Sequence, residues 1–143
     1  MNELDAIKAR LDRLETHEAP QWHYLTTPLT STSWDGDAYS TTAKTKIDLS
    51  AVFGVPAGVK AVLVHVVIRD EGSAANDCYI NLAPNDTAGQ GLGTDCSGQA
   101  NDSWERVTFD CPCDANGDIY YEISASGAGT MDVYLQIWGY YGP

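Results

Sequence analysis

Positive charge is scarce in this chain. Eight Lys and Arg stand against 20 Asp and Glu over 143 residues, a formal net charge of −12. Lys8, Arg10 and Arg13 fall near the start, which leaves the rest of the chain almost without cations. Nucleic acid is therefore not an expected partner, because neutralising phosphates requires a basic face. Long apolar runs are missing too. No segment is long enough to span a bilayer as a helix and the N-terminus lacks the apolar core of a signal peptide, so neither membrane insertion nor a secretory route is expected.

Catalytic signatures are also lacking. The chain has no Gly-x-Ser-x-Gly elbow and no His-Glu-x-x-His pair, and no Gly-Lys-Ser/Thr follows the glycines between residues 85 and 95. His17, His23 and His65 are scattered, and His65, alone on a strand, reads as a hydrogen-bonded core or interface residue. Asp70-Glu71, Asp102 and Glu105 are of the type that flanks a sugar, yet acidic loops are already accounted for by the net charge. The chain is expected to be no enzyme and to hold no cofactor.

What is present begins in the first nineteen residues. Leu4, Ile7, Leu11 and Leu14 recur at the spacing of a coiled-coil seam, with Leu4 and Leu11 at a and Ile7 and Leu14 at d. Glu3 and Arg10 then fall at g, Lys8 and Glu15 at e, and each g residue meets an e residue of opposite sign on a neighbouring parallel helix. Arg10-Leu11-Asp12-Arg13-Leu14-Glu15 resembles the short trimer-specifying coiled-coil motif, in which the Arg reaches the Glu of the next helix. Helices below roughly 12 to 15 residues are marginal alone, so the rest of the chain is expected to associate as well. His17 and Pro20 end this element, and the joint at Ala19-Pro20 divides a trimerisation helix, residues 1–19, from a head, residues 20–143.

The head reads as all β, with strand signals at 22–27, 43–49, 61–69, 78–82, 104–109, 119–125 and 131–140 and no helix after Pro20. In the third of these Val62, Val64, Val66 and Ile68 alternate with the mixed set Leu63, His65, Val67 and Arg69, which suits the centre of a sandwich or a subunit interface. The Gly-rich stretch between Leu82 and Trp104 reads as a long loop, functional or mobile. Asp114-Ala115-Asn116-Gly117-Asp118 alternates carboxylates and amides as calcium loops do but lacks the closing Glu, so it reads as a tight turn and no metal is expected. Trp34, in a polar loop, is the best single candidate for an exposed ligand contact; Tyr140 and Tyr141, with Trp138, are a candidate stacking platform that also reads as core.

Cys78, Cys96, Cys111 and Cys113 allow two disulfides in three pairings, free buried thiols, or a metal site. A Cys111–Cys113 bridge is strained, which favours one in which Cys78 or Cys96 joins that pair, and Cys-Pro-Cys is too tight for the usual zinc spacing.

The order of stalk helix, β head and aromatic last strand resembles the small trimeric virion proteins of tailed bacteriophages. Three segments carry the likeness: Val55-Pro56-Ala57-Gly58-Val59-Lys60-Ala61-Val62-Leu63-Val64, the run from Asp118-Ile119-Tyr120-Tyr121-Glu122-Ile123 to Gly127, and Asp132-Val133-Tyr134-Leu135-Gln136-Ile137-Trp138-Gly139-Tyr140. The resemblance implies a jelly-roll-like antiparallel β-sandwich, three copies about a coiled-coil axis, and a structural or adhesive role as a head or neck appendage or capsid decoration. Its expected partners are two further copies, a capsid, neck or other virion protein, and a host-surface glycan; its expected location is the virion. The competing class is a trimeric carbohydrate-binding module or short fibre tip.

Overall fold

The alternation of valines at 62, 64 and 66 with bulkier or polar neighbours is realised in the central strand of a β-sandwich, seen in a computed structural model. The described residues are 2–16, 19–31, 33, 34, 36 and 42–143, with side chains in the first helix described as far as residue 11. His17, Asp35, Asp37 and the side chains of Leu14 and Glu15 lie outside them.

Helix α1 is Glu3–Thr16. Asn2 caps it, its Oδ1 accepting from the Asp5 N–H at 2.8 Å, and Glu3 and Asp5 place negative charge at the positive end of the helix dipole. The strands are β1 Gln21–Leu29, β2 Thr42–Ile47, β3 Ala61–Asp70, β4 Tyr79–Ala83, β5 Leu92–Asp95, β6 Glu105–Pro112, β7 Ile119–Ser124 and β8 Met131–Gly142. They form two antiparallel four-stranded sheets, ordered β1-β8-β3-β6 and β2-β7-β4-β5.

Two expectations need correction. A short helix α2, Leu49–Phe53, interrupts the head where the strand at 43–49 was expected to run on and no helix was foreseen. Asp48 starts it by accepting the Ala51 N–H on Oδ1 at 3.1 Å, and Gly54, at φ +76°, ends it in the left-handed conformation that a side chain resists. Five residues are too few for helical periodicity to register, so only the Asp and Gly at its ends marked it. The stretch after Leu82 is a hairpin rather than one long loop, because β5 pairs with β4 from Tyr79↔Asp95 to Leu82↔Leu92.

Between the sheets lies the core. Val62, Val64, Val66 and Ile68 are wholly buried, as are Ile80, Ile119 and Ile137 of the neighbouring strands. Each such side chain contributes about 2 kcal/mol through its burial. β5 sits very close to β4: a Cβ at Gly93 would lie 1.8 Å from the Ile80 carbonyl oxygen. Gly93→Ala must therefore push the strands apart, and a urea titration should show a loss of about 2 kcal/mol; an unchanged midpoint would mean that β5 is not held at this separation.

Candidate functional site

Helix α1 presents its apolar seam to solvent. Leu4 is 58 %, Ile7 46 % and Leu11 52 % exposed, and Arg10 is exposed beside them. Among the described residues, none of the three seam residues belongs to the hydrophobic core or is packed against it.

The second surface is the outer face of the sheet containing β3. Residues opposite one another in paired strands share a face, so the register defines a grid. Val67 lies between Arg106 and Tyr134, and His65 between Thr108 and Gln136. Leu63 pairs with Asp110 and Gly139, and a bulge between Leu63 and Val64 admits Trp138. Trp104, just before β6, lies 5.9 Å from the Tyr134 ring, and the Arg69 guanidinium sits 4.4 Å over the Trp104 ring while its Nε bonds Asp132 at 2.5 Å. The Trp138 indole donates to Gln136 Oε1 at 3.1 Å, and His65 Nδ1 is hydrogen bonded to Thr108 Oγ1 at 2.8 Å. His65, expected as a hydrogen-bonded core or interface residue, is hydrogen bonded and stands outside the core on this half-open face.

Two depressions cross the grid. One is bounded by His65, Val67, Trp104, Arg106, Tyr134 and Gln136, the other by Leu63, His65, Thr108, Gln136 and Trp138. They meet at His65 and Gln136. Trp104, Tyr134 and Arg106 were not foreseen as a group, because Tyr134 lies far along the chain from Trp104 and Arg106 and only strand register brings it beside them.

The aromatic residues singled out in the sequence behave differently. Trp34 is half-buried, edge-on to Tyr121 at 5.4 Å and 6.5 Å from Phe53, so it packs against the core instead of standing exposed in its polar loop. Tyr140 stacks on His23 at 5.0 Å and Tyr141 tilts against Trp22 at 5.7 Å, which ties both to β1. His23 Nε2 in turn donates to the Gly142 carbonyl at 3.2 Å.

All four cysteines are free thiols. Cys78 and Cys96 face each other where β4 and β5 begin to pair, the Cys96 N–H bonding the Cys78 carbonyl at 2.8 Å. Both sense Asp70 at the end of β3, whereas Cys111 lies opposite Val62 near its start. Asp70 lies eight steps along the strand from Val62, about 26 Å at the usual rise. The expected bridge from Cys78 or Cys96 to Cys111 or Cys113 is thus far too long for a disulfide. Burial pushes the thiols of Cys96, Cys111 and Cys113 up to about 12 and that of Cys78 upward as well. Native protein at about pH 8 should accordingly react only slowly with Ellman's reagent, and all four thiols should react once it is unfolded; rapid titration of the native chain would contradict their burial.

The carboxylates of the 114–118 segment are occupied, Asp114 within the turn and Asp118 by neighbours outside it. Asp114 Oδ1 accepts the N–H groups of Asn116 at 2.9 Å and Asp118 at 3.0 Å, and Gly117 takes φ +79°. Asp118 pairs with Lys46 at 3.2 Å and accepts the Leu49 N–H at 3.1 Å. Among the described residues no three His, Cys, Asp or Glu side chains converge as metal ligands would. Asp70 is fully buried and fully engaged: Oδ1 accepts from the Gly72 N–H at 2.7 Å and from the Ser126 hydroxyl, and Oδ2 from the Ser126 N–H and the Thr130 hydroxyl, both at 3.0 Å. Neither arrangement leaves a carboxylate poised for acid–base work. No protein-family model and no curated protein matches the chain.

Proposed function

We propose that the chain is one subunit of a homotrimeric, non-enzymatic appendage, a head or neck decoration of a tailed-bacteriophage particle, in which α1 forms a parallel coiled coil and the sandwich forms the head. The observation that carries this reading is the bare seam of α1: Leu4, Ile7 and Leu11 are each about half exposed or more on a helix of 14 residues. A helix of that length is marginal in water by itself, and a stripe of Leu and Ile left in solvent is accounted for by copies of the same stripe. The charge pattern at Glu3, Lys8 and Arg10 and the trimer motif ending at Glu15 favour three parallel copies.

The strand order supports the finer description of the head. Eight strands in two packed sheets, ordered β1-β8-β3-β6 and β2-β7-β4-β5, suit a jelly roll, an architecture shared by capsid and lectin domains. Fold alone does not choose between those uses. The resemblance of the stalk, the turn at 55–60 and the aromatic β8 to phage virion proteins favours the first.

Particles produced by the source of this chain test the reading. Quantitative mass spectrometry should find the chain on purified virions at a copy number divisible by three. Its absence from particles, with the chain recovered only as free protein, would contradict the virion assignment.

A further inference from the structure

We infer that the outer face of β3, β6 and β8 is a binding groove for a glycan chain, with Trp104 and Tyr134 as stacking surfaces and Arg106, His65 and Gln136 as hydrogen-bonding groups. This deepens the adhesive side of the appendage reading without needing the virion assignment.

A pyranose ring presents a patch of C–H bonds on one face and hydroxyls around its rim. Its recognition requires a flat aromatic surface beside side chains that both donate and accept. The grid supplies this combination. Trp104 is 40 % and Tyr134 51 % exposed, although both belong to the small set of large side chains that a sandwich would ordinarily bury. Arg69 covers part of the Trp104 ring and is itself held by Asp132, so the indole is fixed in place before any ligand arrives. Pre-ordering of this kind lowers the entropy lost on binding.

The polar groups are oriented but not saturated. Among the described residues Gln136 uses Oε1 to accept from Trp138 and its amide N–H₂ meets no acceptor, while His65 uses Nδ1 toward Thr108 and its Nε2 meets no partner. Arg106, one of the few cations of the head, forms no salt bridge among the described residues. The two depressions, of about 250 and 430 Å3, share His65 and Gln136 and so read as one groove. From Tyr134 to Trp138 along β8 it extends roughly 13 Å, long enough for more than one sugar ring.

A second copy of the chain is the other occupant, and the oligomeric state of the groove variants separates the two. The face carries two cations, Arg69 and Arg106, and two anions, Asp110 and Asp132, so it presents no net charge to a neutral polysaccharide.

The test is an array of purified bacterial capsular and O-antigen polysaccharides, probed with the full chain and with Trp104→Ala, Tyr134→Ala, Arg106→Gln and, as a control on the other sheet, Leu92→Ala. We expect binding to at least one polysaccharide that falls about 30-fold or more in each aromatic variant, less steeply in Arg106→Gln, and not in Leu92→Ala. Because Trp104 and Tyr134 are largely outside the core, the variants should keep the circular dichroism and unfolding midpoint of the parent. Binding to no polysaccharide, or binding that all three groove variants retain, would overturn the proposal. So would loss of the oligomer in those variants by light scattering, which would assign the face to a contact between copies. None of these outcomes alters the virion copy number, so a failure here is distinguishable from failure of the appendage reading.

Discussion

Asp70→Ala should lower the stability of the head by about 3 kcal/mol, the range for removing a buried charged acceptor from several partners at once. The carboxylate at the end of β3 gathers the Gly72 and Ser126 N–H groups and the Ser126 and Thr130 hydroxyls, and so joins the turn after β3 to the one between β7 and β8. Alanine would leave the partly buried Gly72 and Ser126 N–H groups without this acceptor, while the Ser126 and Thr130 hydroxyls keep Thr130 Oγ1 and the Gly127 carbonyl within reach. Asp70→Asn keeps the shape and part of the bonding and should lose less. Urea unfolding followed by tryptophan fluorescence checks both; equal and small losses would mean that water reaches these donors.

The same residue sets a pH dependence. Burial alone would raise the Asp70 pKa, but the bonds from Ser126, Gly72 and Thr130 together outweigh it and hold the carboxyl below the ordinary 3.8. A group depressed in the folded state binds its proton more weakly there than in the unfolded chain. Its contribution is therefore complete well above 3.8 and is lost as the pH falls through the lower folded value. Between neutrality and about pH 5 its contribution to the unfolding midpoint should be flat, and the further decline in more acid solution should be smaller in Asp70→Asn.

Leu4→Lys combined with Leu11→Lys should abolish assembly while leaving the head folded. Both side chains are more than half exposed in the single chain, so their replacement removes no contact of the core. In a trimer the same two positions of every copy meet at the axis. Each buried Leu contributes about 2 kcal/mol, and a lysine there adds like-charge repulsion. The change in association is thus expected to exceed 100-fold, enough to give subunits at micromolar concentration, with thermal unfolding of the sandwich retained. If the double variant stays assembled, the heads hold the oligomer and α1 has another role.

Much of this architecture was legible in local pattern. The alternation at Val62, Val64, Val66 and Ile68 is a direct consequence of one strand face meeting a core, and the same two-residue period located β7 and β8 to within two residues at either end. α1 was legible because its seam repeats on a helical period. What escaped was either too short or too distant. β5 is four residues, Leu-Gly-Thr-Asp, whose place depends on pairing with β4 and on the closeness that Gly93 permits. Trp34 has polar neighbours in sequence, and its apolar ones, Phe53 and Tyr121, come from distant parts of the chain. The groove depends on register between strands far apart in the chain: Arg106, Val67 and Tyr134 form one row only after β6 and β8 have taken their places beside β3. The cysteines show the same limit, since spacing along the chain does not reveal that Cys111 and the Cys78–Cys96 pair lie toward opposite ends of β3.

The central claim, that this chain works as a trimer joined through α1, is tested most directly by the mass of the unmodified chain in solution, measured by multi-angle light scattering over a range of concentrations. The account predicts a species of three times the 15.4 kDa subunit mass, dissociating as the chain is diluted. A mass of 15.4 kDa at every concentration would contradict it.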